Sequence, residues 1–72
     1  MQAQEAADFG LESAGPFELL HPLNPQAEKW IKENLTDVQP WQKFGLAVAI
    51  EHRFAAEIVK EILADGFRLK EF

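Results

Sequence analysis

Cysteine is absent from this chain of 72 residues. No disulfide can staple the fold, and no thiolate is available to hold zinc or attack a substrate. A disulfide-framed secreted domain is therefore not expected, and the cytoplasm is the expected location. Tyrosine is absent too, and the side-chain hydroxyls reduce to Ser13 and Thr36. Long apolar runs are missing. The longest, Leu46 to Ile50, falls far short of the roughly 20 residues of a membrane span. The opening MQAQEAADFG lacks the basic flank and apolar core of a signal peptide. Positive charge is scarce in the first half. Met1 to Gln42 holds seven acids against Lys29 and Lys32, whereas Lys43 to Phe72 holds five of each sign, for a net charge of −5. Such a surface repels phosphate backbones, so direct nucleic-acid binding is not expected.

What is present suffices for one small domain. A chain this short buries only about 60% of its unfolded surface, so every core residue matters. There is no internal repeat and no low-complexity tract. Residues 1–16 are polar, Ala-rich and broken by Gly10, Gly15 and Pro16. They are expected to form a mobile acidic arm, leaving residues 17–72 as the folded domain.

FELLHPLN alternates Phe17, Leu19 and Leu23 against Glu18 and predicts a short strand, with Pro22 at an edge or at its end. In NPQAEKWIKENL, Asn24 is a good N-cap and Pro25 suits the first helical position. Ala27, Trp30, Ile31 and Leu35 then form one apolar stripe. Asn34 is expected to end the helix in the left-handed conformation. Phe44 to Ile50 predicts a second strand, with Phe44, Leu46, Val48 and Ile50 on one face and Gly45, Ala47 and Ala49 on the other. Read instead as helix, that segment would put Leu46 and Ile50 among Arg53, Glu57 and Lys60, so the helical period starts only after Glu51. Phe54, Ala55, Ile58, Val59, Ile62 and Leu63 give the second helix its apolar face, and Gly66 its cap. FRLKEF reads as a last strand with Phe67 and Leu69 facing one way.

The expected architecture is therefore a single α/β (α+β) domain in the order β-α-β-α-β. It has three parallel strands, two helices and the arm. Strand order 1-2-3 places both helices on one face and leaves Ala47, Ala49, Leu20, Arg68 and Lys70 on the other; order 2-1-3 places the helices on opposite faces. An uncovered apolar sheet face calls for a partner, a dimer or a covering arm.

Glu51-His52-Arg53 is the one cluster that resembles reactive chemistry. It lies at a strand end and a helix start, where open α/β sheets hold ligands and a helix dipole with Arg53 could hold an anion. Its ordinary reading is structural: Glu51 at a helix N-terminus is favourable and His52 flanks the apolar stripe. Arg53 is the exception, since a cation in the first turn opposes the dipole. Parallel strands would bring His21 and His52 to one edge, yet no ligand spacing accompanies them, so no metal or cofactor is expected. No nucleophile, base and orienter can be assembled, so no enzymatic activity is expected. Trp41 fits no stripe and either caps the core or anchors an interface.

The pattern A-x-x-W (Ala27, Trp30), then E-H-R-F (Glu51 to Phe54), then A-D-G-F (Ala64 to Phe67) resembles a family of small bacterial and phage open reading frames without assigned activity. The likeness spans residues 17–67 and carries over no catalytic residue. The functional expectation is a non-enzymatic protein-interaction module, as a dimer or as a subunit of a larger complex. Two alternatives stand beside it. One is an acidic inhibitor of a nucleic-acid-handling machine; the other is a small-ligand or anion site at the strand-end edge. Trp41, Glu51, His52, Arg53, Ala47, Ala49, Leu20 and Arg68 are the candidate interaction residues.

Overall fold

The first strand of the sheet comes from the stretch expected to be an arm, and it pairs with the strand expected from Phe17 onward. Phe9 to Ala14 form β1 and Phe17 to Pro22 form β2, paired antiparallel from Ala14↔Phe17 to Phe9↔Pro22. The two-residue link is Gly15–Pro16. Gly15 takes φ 65° and the proline ring fixes the next φ near −65°, the sign pattern of a turn whose twist suits a hairpin. The computed structural model describes residues 6–72; the first five residues of the expected arm, and half of the segment tested for a signal peptide, lie outside the described residues.

The remaining elements are α1 (Pro25–Asn34), a 3-10 turn (Pro40–Gln42), β3 (Lys43–Phe44), β4 (Ala47–Glu51), α2 (His52–Ala64) and β5 (Leu69–Glu71). They build a five-stranded mixed sheet in the order β3-β4-β2-β1-β5. This corrects the expected three-stranded parallel sheet. Two strands were missed: β1, and β3, which is split from β4 by a second two-residue turn in which Gly45 takes φ 64°. The expected long strand is thus a hairpin, and Gly45 belongs to its turn rather than to a face. The crossover reasoning keeps part of its force. Strands β2 and β3 are each antiparallel to β4, so they run parallel to each other across α1. By the same logic β4 and β5 run parallel across α2. The hairpins insert antiparallel strands between those pairs, which local sequence does not announce.

Both helices pack on one face of the sheet. Register and alternation put Phe9, Leu11, Leu20, Val48, Ile50 and Leu69 on that face. Ala27, Trp30 and Ile31 of α1 and Ala55 and Ile62 of α2 complete the core. Leu20 was expected on the opposite face. It is instead fully buried at the core centre. The alternation of Phe17, Leu19 and Leu23 had named the wrong side of β2, and a shift of one residue exchanges the faces. Phe17 and Leu19 point away from the helices.

The helix ends show why these segments stop. Asn24 caps α1 by accepting from the Ala27 N–H at 2.9 Å. At the other end, positive φ among the described residues is confined to glycines, so Asn34 does not take the left-handed conformation expected of it. Instead its Nδ2 donates to the Trp30 carbonyl, and the Leu35 N–H donates to Ile31. Helix α2 ends as expected at Gly66: the Phe67 N–H reaches the Ile62 carbonyl and the Gly66 N–H reaches Leu63, the paired bonds of a Schellman cap.

Asp8 ties three elements together. Its Oδ1 accepts from Asn24 Nδ2 at 2.7 Å, orienting the cap of α1, and its Oδ2 accepts from the Arg68 N–H at 2.8 Å, just before β5. The backbone bond from Arg68, and after it the Asn24 bond, hold the Asp8 carboxyl below its ordinary value of 3.8. A depressed carboxylate contributes stability above the unfolded value and loses it as pH falls through the lower folded one. Asp8→Asn is therefore expected to be less stable than the native chain at neutral pH. The gap should close as pH drops below 3.8, as read by urea denaturation at each pH. A gap constant from neutral pH to pH 2 (about two units below the unperturbed carboxyl) would show that the carboxylate contributes nothing.

Candidate functional site

The Glu51-His52-Arg53 junction is a structural tie. Glu51 ends β4 and stands at the N-cap of α2 without a side-chain capping bond. Its Oε1 accepts instead from Arg53 Nε at 2.9 Å. The Arg53 guanidinium lies 4.8 Å from the centroid of the Phe54 ring, an attractive placement for a cation. That accounts for a cation in the first turn. His52 Nδ1 lies 2.8 Å from Glu18 Oε2, and Nε2 lies 3.0 Å from the Gly15 carbonyl. The imidazole thus joins the start of α2 to the tip of the first hairpin. With Glu18 and Glu51 beside it, the positive end of α2 already faces two carboxylates.

His21 is not part of this cluster. Because β2 and β4 are antiparallel, with Phe17 opposite Glu51, His21 lies at the other end of the sheet from His52. This corrects the shared edge that parallel strands would have given. His21 Nε2 pairs with Glu12 Oε1 at 2.9 Å across the first hairpin. Among the described residues, no group of three His, Cys, Asp or Glu converges as a metal ion would require.

Two surfaces remain. The first is the helix-free face of the sheet. Gly10, Glu12, Phe17, Leu19, His21, Ala49 and Lys70 fall there by register, and Ala47 with its partner Phe44. Ala47 and Ala49 do face away from the helices, but they are buried; these small side chains lie beside the larger Phe44 and Leu19 in the ladder. The Phe72 ring lies against Gly10, where a Cβ would come within 2.5 Å of it. Phe44 is 57% exposed and Phe72 63%. Arg68 precedes β5, its N–H bonded to Asp8 and its carbonyl to the Asp8 and Phe9 N–H groups.

The second surface is a groove of about 480 Å³ where α2 and the segment 34–42 flank β4. Strand β3 covers β4 only at Val48 and Ala47. Beyond that point the β4 edge is met by the 3-10 turn, whose Gln42 Nε2 donates to the Ala49 carbonyl at 3.0 Å. Val48 and Ile50 form the floor, Val38 and Ile58 the walls, and Trp41 and Phe54 the rim. Trp41 also meets Phe17 edge-on at 5.5 Å, so it stands where groove and open face join. It is 53% exposed, so about half of its surface remains open to solvent. Among the described residues, four carboxylates line the groove, those of Asp37, Glu51, Glu57 and Glu61, and no lysine or arginine does.

Sequence reasoning reached Trp41 and Glu51 but not Phe44, Phe54 and the acids of α2. A signal existed in the Glu57–Glu61 pair. Residues at i and i+4 lie on one side of a helix, so the spacing alone puts both carboxylates on the same face of α2. No protein-family model, curated protein or solved structure matches this chain.

Proposed function

We propose that this protein is a small, acidic, non-enzymatic interaction module, acting as a homodimer or as a subunit of a larger assembly through the helix-free face of its sheet. The observation that carries this is the exposed aromatic side chains on this face, Phe44 at its β3 edge, Phe72 at its β5 edge and Trp41 at its margin. Aromatic side chains of this kind are the residues that anchor protein interfaces. Among the described residues no helix is long and apolar enough to cross a membrane, and a cytoplasmic setting accords with the cysteine-free composition.

Phe44→Glu puts a charge at the β3 edge of this face without touching the helix-side core. Sedimentation at micromolar concentration is expected to show a native dimer that this variant dissociates, with unchanged circular dichroism. A native monomer removes the dimer form. If affinity capture then retains no partner that Phe44→Glu releases, the subunit form fails as well. The alternative of an inhibitor directed at a basic nucleic-acid-handling protein is favoured by one feature, the acidic lining of the groove.

A further inference from the structure

We infer that the groove between α2 and residues 34–42 is a docking site for a basic amphipathic segment of a partner protein, one that seats apolar side chains against Trp41 and Phe54 and aims lysine or arginine at Glu57, Glu61 and Asp37. This rests on the interaction-module reading and names the partner's chemistry at a surface distinct from the sheet face.

Charge complementarity selects this occupant. Glu51 is neutralised by Arg53. The carboxylates of Asp37, Glu57 and Glu61 form no ion pair among the described residues. They stand on both sides of the apolar floor: Asp37 comes from the segment after α1, Glu57 and Glu61 from consecutive turns of α2. A cationic side chain entering from either side meets a free carboxylate, while an acidic or phosphate-bearing ligand meets only repulsion. The apolar side chains of the groove add a second requirement that charge alone does not meet. Val48 and Ile50 are each 4% exposed, so the apolar surface left open is that of the flanking Trp41 and Phe54, and covering it takes an apolar side chain between the cations. An amphipathic helix laid in a groove supplies that pattern. Trp41 and Phe54 at the rim, both about half exposed, would close over it.

Trp41 reports on the site directly. The other tryptophan, Trp30, is buried with its indole N–H bonded to Asp65. The probe is a synthetic helix of about 12 residues with leucine at i, i+3, i+4 and i+7 and lysine elsewhere. It is titrated against the full chain while tryptophan emission is followed. A saturable blue shift is expected, lost in Trp41→Phe and weakened at least tenfold in the double variant Glu57→Lys/Glu61→Lys. The variant Glu33→Lys/Glu71→Lys makes the same change in net charge away from the groove and should lose less than about threefold. The inference is overturned by any of four results: no shift with the leucine–lysine peptide; equal binding of oligolysine without leucine; equal loss in the two charge-reversed variants; or equal affinity for a small organic cation, which would make the groove a ligand pocket. Phe44→Glu should leave peptide binding unchanged. Loss of self-association with intact peptide binding, or the reverse, therefore separates the fate of the sheet face from that of the groove.

Discussion

Phe9→Ala is expected to cost about 3–5 kcal/mol and leave much of the population unfolded at 25 °C. Phe9 is fully buried, and its ring meets Trp30 edge-on at 5.7 Å and Phe67 at 5.5 Å. Removing the ring forfeits the transfer of a whole aromatic side chain, both edge-to-face contacts, and leaves a cavity the sheet cannot close. Small domains hold only around 5 kcal/mol in reserve, so the loss approaches the whole of it. Urea denaturation should show the midpoint falling by about 2 M or more with an unchanged slope. An arm residue would behave differently, because surface substitutions stay within about 0.5 kcal/mol. A midpoint shift of that small size would remove β1 from the core.

Trp30→Ala should cost a similar amount, about 3–5 kcal/mol, by two separable routes. The indole is buried against Phe9, and its Nε1 donates to Asp65 Oδ2 at 2.7 Å. Asp65 is the C-cap residue of α2, so this one bond fastens the middle of α1 to the end of α2. Trp30→Phe keeps most of the apolar volume and drops only the bond. It should cost about 1 kcal/mol or a little more, since Asp65 is exposed and water can replace the donor. Trp41 remains as the fluorescent reporter in both variants. Equal losses for Trp30→Ala and Trp30→Phe would assign the stabilisation to the bond rather than to packing. Because Phe9 and Trp30 touch, the double alanine variant should fall short of the sum of the single losses.

Both helices could be read from their residues. Asn24, Pro25 and the Ala27/Trp30/Ile31 stripe place α1, and the apolar face from Phe54 to Leu63 with Gly66 behind it places α2, although Phe54 and Leu63 at its two ends are about half exposed rather than buried. Helix signals are local: the cap, the period and the terminator lie within one segment. Strands depend on partners far along the chain. Phe9, Leu11 and Ser13 do alternate with Gly10, Glu12 and Ala14, and Gly15–Pro16 is a turn signal, but Gly10 lowers the strand propensity of so short a run. The β3–β4 turn was hidden because Gly45 and Leu46 continue an apolar alternation that reads as one strand. In the candidate site, Trp41 was legible as a tryptophan without a stripe. The groove was not, since Asp37, Trp41 and Glu61 meet only after the chain has folded around β4.

By itself the sequence determined that this is a small acidic domain without disulfides, with two amphipathic helices whose ends are marked by Asn24 and Gly66. Those properties follow from composition and from interactions spanning a few residues. The tertiary structure alone decided the number and direction of the strands, which face of β2 is buried, and that Leu20 rather than Phe17 or Leu19 enters the core. It also decided that the histidines lie at opposite ends of the sheet and that Asp37, Glu57 and Glu61 share one groove. The physical reason is the same in each case. Strand pairing and register are settled by contacts between residues distant in sequence, and a shift of one position exchanges the two faces of a strand without altering its local pattern.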